Sequence, residues 1–171
     1  MKRTLTIKGR GKLGIWKPGL LQSLLLQGIP YEEAKRLVKR DGGLFASIEE
    51  DNLIVTGGKE LAADILMGVR DPIRYCALGT GTADPSPNDT RLASEGARKG
   101  VTGTSRSGFT ATFSTFFTAA EATLTIEEVG MFGGAATSTA NSGDLFSRWL
   151  THFDNSDGDF DVTVDYELTI S

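Results

Sequence analysis

Cysteine and histidine are nearly missing from this chain, with one of each, Cys76 and His152, in 171 residues. A lone cysteine excludes an intrachain disulfide and any multi-cysteine metal site. Cys76 sits in an apolar run and reads as a small buried hydrophobe. With one histidine, any Ser-His-Asp or Cys-His arrangement must use His152, and no nucleophile elbow, metal-binding pair or acid/base motif accompanies it. No catalytic, metal-ligating or cofactor-binding residues are therefore expected, and no cofactor. Long apolar runs are lacking too. Leu20 to Ile29 is the longest, but Gln22, Ser23, Gln27 and Gly28 interrupt it, which is too short and too polar to span a bilayer. The basic N-terminus leads into a threonine-alternating stretch rather than an apolar core with a cleavage site, so no signal peptide is expected. Against five prolines and two tryptophans stand 21 glycines, a balance that suits a folded domain rich in turns.

Charge is unevenly placed. Residues 1–50 hold ten Lys/Arg against five Asp/Glu, a net of +5, whereas residues 51–171 hold eight against 17, a net of −9. Opposite signs in the two parts suggest a basic docking arm, 1–50, and an acidic body, 51–171. Lys2, Arg3, Lys8, Arg10, Lys12 and Lys17 would then meet an acidic neighbour, for which the body of another copy is the natural candidate. The acidic body repels phosphate and carries no aromatic stacking series, so no nucleic-acid partner is expected.

The arm begins with a short alternating strand, Thr4 to Ile7, followed by a glycine-rich loop from Gly9 to Gly19 in which Trp16 is an anchor. Two helices follow, Leu20 to Gln27 and Pro30 to Arg40. Glu32 and Glu33 in the first turn of the second helix, and Lys39 and Arg40 in its last, complement the helix dipole. So small a hairpin cannot bury Leu20, Leu21, Leu24 and Leu25 by itself. With Lys8, Arg10, Lys12 and Trp16, these leucines are the candidate interaction residues. In the body, Lys59 to Met67 has helical spacing. Short β-rich runs cover Leu53–Val55, Arg74–Leu78, Ala97–Thr102, Gly108–Phe117, Ala122–Glu128, Leu145–Thr151 and Phe160–Ile170. Strand pattern and turn spacing together predict a mainly β fold, an antiparallel β-sandwich with a short helix at its start and an N-terminal arm containing a small helical hairpin. Ala135 to Ser142, low in complexity, reads as an exposed loop.

Three stretches imitate functional motifs. Gly9-Arg-Gly-Lys-Leu-Gly14 is a G-x-G-x-x-G, but Trp16, Pro18 and Gly19 separate it from any helix, which removes the strand–turn–helix setting that phosphate binding needs. Gly79-Thr-Gly-Thr82 lacks a lysine at P-loop spacing and runs into Asp84 and Pro85, so it reads as a turn whose glycines supply positive φ. Asp154-Asn-Ser-Asp-Gly-Asp-Phe-Asp161 has the acid density of a calcium loop. Placing Gly158 at the sixth position puts Phe153 and Val164 where oxygen ligands belong, so a polar turn at Asp157-Gly158 is the better reading.

One order of elements stands out. Tyr75-Cys-Ala-Leu-Gly-Thr-Gly-Thr-Ala-Asp-Pro-Ser-Pro-Asn-Asp-Thr90 is followed by Glu95-Gly-Ala-Arg-Lys99, two alternating segments, a Glu-Val-Gly-Met-Phe turn and a closing strand, Asp161 to Ile170. Residues 51–171 resemble a family of tailed-bacteriophage virion proteins, tail-fibre or tail-collar-like, whose members carry a "GTGT…P…DT…L…E…R" signature and end on such a strand. The resemblance implies a virion structural protein, a tail-, neck- or baseplate-associated adaptor or attachment subunit. It would work by protein–protein assembly with other virion proteins and copies of itself, a homo-oligomer located in the virion and not an enzyme. A capsid decoration protein is the alternative. A carbohydrate-binding module for the host surface is a second alternative and would need Trp16 or Trp149 exposed as a sugar platform.

Overall fold

The computed structural model describes residues 5–171, so Lys2, Arg3 and Thr4, to which the sequence gives a docking charge and a strand start, lie outside the described residues. Ten strands and three helices follow in the order β1 (Ile7–Trp16), α1 (Leu20–Leu26), α2 (Tyr31–Arg40), β2 (Leu44–Asp51), β3 (Leu53–Ile54), α3 (Thr56–Leu66), β4 (Tyr75–Gly79), β5 (Glu95–Gly100), β6 (Gly103–Ser107), β7 (Thr110–Phe117), β8 (Thr125–Gly133), β9 (Asp144–Asp154) and β10 (Asp161–Ile170). They form two five-stranded antiparallel sheets, ordered β2-β1-β10-β7-β6 and β3-β9-β8-β4-β5. The chain is an antiparallel β-sandwich with short helices, as its strand periodicity predicts. Leu13 and Ile15 from β1, Val162, Val164 and Tyr166 from β10, and Val129, Met131, Phe146 and Trp149 from β8 and β9 fill the space between the sheets. Burying each large side chain is worth about 1.5–3 kcal/mol.

The expected arm is part of this sandwich. β1 pairs with β10 along its whole length, from Ile7 opposite Ile170 to Trp16 opposite Asp161. It pairs with β2 on its other side, Arg10 opposite Asp51 and Leu13 opposite Ile48. The division at residue 50 therefore separates two strands of one body rather than an arm from a domain. The Gly9–Gly19 loop is also corrected, because its first eight residues are strand. A β-carbon on Gly11 would lie 2.3 Å from the Trp149 ring, and one on Gly9 would lie 2.5 Å from the Tyr166 hydroxyl. Glycine is needed where Trp149 of the opposite sheet and Tyr166 of the neighbouring strand β10 press against the backbone. The G-x-G-x-x-G spacing records those approaches. β2 went unread as a strand, although its half-buried Leu44, Ala46 and Ile48 alternate with exposed Phe45, Ser47 and Glu49. The Glu-Val-Gly-Met-Phe turn is likewise the interior of β8.

Segments cover part of each outer face of the sandwich. The α1–α2 hairpin packs in cis on the β1/β10/β7 sheet, where Trp16, Leu21, Ala34, Val38 and Phe116 form a second cluster. Two carboxylates of β10 fasten it. Asp161 accepts hydrogen bonds from the amides of Gly19 (2.8 Å) and Ala119 (2.8 Å), and Asp165 takes Lys35 Nζ at 2.8 Å and Ser114 Oγ at 2.6 Å. Burial still raises the Asp161 carboxyl above the ordinary range. The closing strand is therefore buried on both faces from Asp161 to Asp165. This is why its polar residues sit under a helix instead of in water.

Gly11→Ala tests the placement of β1. The added methyl must displace the Trp149 ring, which stacks on Tyr166 with centroids 5.9 Å apart, and overpacking of this kind costs about 1–3 kcal/mol. Urea denaturation should show that loss, whereas a solvent loop at residue 11 would leave the midpoint unchanged.

Candidate functional site

Residues 80–94 form the longest connection in the body and lie on the outer face of the β9/β8/β4/β5 sheet. Two residues in the middle of strands hold them there. Glu128 on β8 is fully buried and Arg148 on β9 nearly so. Their backbones lie on neighbouring strands, with Gly130 directly opposite Arg148. Arg148 Nε donates to Glu128 Oε2 at 2.8 Å. The Glu128 carboxylate also accepts three loop amides, those of Gly81 (3.1 Å), Ala93 (3.0 Å) and Ser94 (2.7 Å). Arg148 spreads its remaining donors over the same loop, to Asp89 Oδ2 at 2.7 Å, the Ala83 carbonyl at 2.6 Å and the Asp84 carbonyl at 3.4 Å.

The glycines of Gly79-Thr-Gly-Thr82 serve this clamp. A β-carbon would come within 2.7 Å of Glu128 Oε1 at Gly79 and within 2.4 Å at Gly81. Neither glycine is among those with positive φ, so clearance, for the Glu128 carboxylate at both and also for the Ser94 carbonyl at Gly79, explains them rather than turn geometry. Leu92 adds an apolar anchor to Val55, Ala77, Phe132 and Leu145. The Thr56 amide donates to the Pro87 carbonyl at 2.7 Å, tying the loop to the start of α3.

A second clamp holds the loop expected to be exposed, Ala135 to Ser142. Arg98 and Glu95 on β5 have side chains only 3% and 1% exposed and pair at 2.6 Å. Arg98 lies over the Phe132 ring, 4.0 Å from its centroid, and donates to the Ser142 carbonyl at 3.0 Å. The Asn141 amide donates to Glu95 at 3.1 Å, with Asn141 at φ 59. Ala77 stands opposite both Arg98 and Gly130, so small residues on the central strands leave room for the two guanidinium groups.

The sequence-expected interaction residues divide into two groups. Trp16 and Leu21 are buried under the hairpin, Leu24 and Leu25 pack half-buried against them, and Leu20 stays partly exposed. Trp16 Nε1 donates to Thr163 Oγ1 at 2.8 Å. Lys8, Arg10 and Lys12 lie instead on the open half of the same sheet. There Lys12 is 2.9 Å from Glu49, and Arg10 is 3.9 Å from both Glu49 and Asp51. Glu49 is already counted in the net +5 of residues 1–50, so the excess is met within the molecule by Asp51 beside Arg10 and by Asp165 beside Lys35. Both tryptophans are buried, so neither offers a sugar platform. Cys76 is sealed in the core, where burial pushes its thiol far above the ordinary range, while His152 points outward and meets Glu127 at 2.9 Å. The Asp154–Asp161 connection is closed by Asn155, which bonds the Ala122 carbonyl and both the amide and carbonyl of Phe160. Gly158 takes φ 68. Among the described residues no three His, Cys, Asp or Glu side chains are placed to hold a metal ion, and no helix is long and apolar enough to cross a membrane.

Glu128, Arg148, Glu95 and Arg98 were missed as a constellation. The available signal was a charged residue inside an otherwise apolar strand, such as Arg148 between Phe146 and Trp149. Comparison of the chain with protein-family models, curated proteins and solved structures found no match.

Arg148→Met should cost about 3–5 kcal/mol, because it leaves the Glu128 charge buried without its partner. Adding Glu128→Gln should recover part of that loss, so the double variant would be more stable than the two single losses predict. Urea denaturation of the four proteins measures this coupling. Strictly additive losses would show that the two side chains do not form a buried pair.

Proposed function

We propose that this chain is a structural subunit of a tailed-bacteriophage virion, an adaptor or attachment subunit at the tail, neck or baseplate that works by assembling with copies of itself and with other virion proteins. The observation that carries this reading is the use made of the signature. Gly79 and Gly81 clear the Glu128 carboxylate, Asp89 receives Arg148, Leu92 fills an apolar socket, and Glu95 and Arg98 pin the neighbouring loop. Each of these residues is taken up by architecture. Six residues that fix the shape of surface loops in this way suit a protein recognised by other proteins.

Surfaces for such contacts exist away from the hairpin. Leu66, Met67 and Val69 at the end of α3 are 64–86% exposed, and clustered apolar exposure of this kind marks interaction sites. Leu5, Phe109 and Ile170 are exposed at one end of the β1/β10/β7 sheet. Docking by a detachable arm is not part of this reading, since β1 is inside the sheet and α1–α2 packs in cis.

Gradient-purified particles should contain the chain at a fixed copy number by quantitative mass spectrometry. A Leu66→Asp, Met67→Asp double variant should melt within about 0.5 kcal/mol of the parent, since both positions are exposed, yet should be lost from particles. Absence of the parent chain from purified particles would contradict the proposal.

A further inference from the structure

Between α2 and the outer face of the β2/β1/β10/β7/β6 sheet lies a groove of about 480 Å³, within the range of about 300–1,000 Å³ found for small-molecule sites. The Lys35–Asp165 contact ties helix α2 to β10 at one point of the groove, and Lys12 and Glu167 also line it. Three hydroxyls, those of Ser47, Ser105 and Thr112, come from three different strands and face the groove. Trp16 and Leu44 give it an apolar end. We propose that this groove binds a small acidic saccharide, a sugar carrying a single carboxylate.

The charges select that ligand. Lys12 and Lys35 line the groove but are occupied, the first by Glu49 and the second by Asp165 and Glu32. Lys39 has no acidic partner within ion-pair distance among the described residues, and Arg36 reaches Glu33 only at 3.7 Å with its side chain 75% exposed. One turn of α2 therefore presents a lysine and an arginine fork to a carboxylate, the arrangement that gives charge-assisted and bidentate hydrogen bonds. Glu32, Asp165 and Glu167 share the groove, and their negative charge disfavours a polyanion such as nucleic acid or polyphosphate. Glu167 can accept from sugar hydroxyls and the three hydroxyls can accept from or donate to them, while half-buried Leu44 meets the apolar face of a ring. Recognition here needs no exposed tryptophan, and it does not depend on the virion reading.

The test is an NMR titration of the labelled full chain with glucuronic acid, glucose and inorganic phosphate. Glucuronate should shift the amides of Lys39, Ser47, Ser105 and Thr112 saturably, with a dissociation constant of about 1–10 mM, and glucose or phosphate should bind at least about tenfold more weakly. Lys39→Gln with Arg36→Gln, both exposed and outside the packed core, should keep the dispersed spectrum of the parent and lose the glucuronate response. Lys59→Gln on α3 should leave the response intact. No saturation by glucuronate at about 50 mM, an unchanged response in the Lys39/Arg36 variant, or equal binding of glucose or phosphate would each overturn the proposal.

Discussion

One buried carboxylate organises the surface of this protein. Glu128 lies in the middle of β8 with no exposure to solvent and holds a guanidinium and three backbone amides. A carboxylate taken out of water costs several kcal/mol unless its lone pairs are used. Here the groups that use them all belong to, or reach into, one connection. The loop cannot leave without stranding Glu128 and Arg148, and the pair cannot stay buried without the loop. An irregular segment of fifteen residues acquires a fixed shape in this way without a regular element of its own.

The same logic repeats over the outer faces. Arg98 and Glu95 fix the loop after β8, and Asp161 and Asp165 fix the helical hairpin on the opposite sheet. A sandwich of two five-stranded sheets would ordinarily expose both outer faces to water, with polar residues alternating outward. In this chain the outward polar residues become attachment points for covering segments. What remains exposed includes the end of α3, one end of a sheet, and a polar groove between helix and strands. A subunit of a larger particle and a carrier of one small ligand site are compatible uses of that surface.

Much of this was legible in the residues. The alternation of Val162, Val164 and Tyr166 located the closing strand, the charges of Glu32, Glu33, Lys39 and Arg40 marked the ends of α2, and the strand spacing indicated a sandwich. The errors share one cause, since partners distant in sequence decide them. Gly9, Gly11 and Gly14 look like a loop until Trp149, Tyr166 and Thr163 arrive from β9 and β10. The basic character of residues 1–50 looks like an arm because nothing local shows that Lys35 will meet Asp165 on β10. Glu128 and Arg148 resemble solvent-facing strand residues until a loop more than thirty residues away in sequence from Glu128 covers them.

Amide hydrogen exchange at Gly81, Ala93 and Ser94 tests the organising role of Glu128 most directly. Amides in an exposed connection ordinarily exchange through small local openings, whereas amides bonded to a buried group wait for the larger opening that frees that group. If Glu128 organises the loop, these three amides will exchange as slowly as those of β8 itself, within about a factor of ten. Exchange at the rate of unprotected loop amides, with β8 still protected, would contradict it.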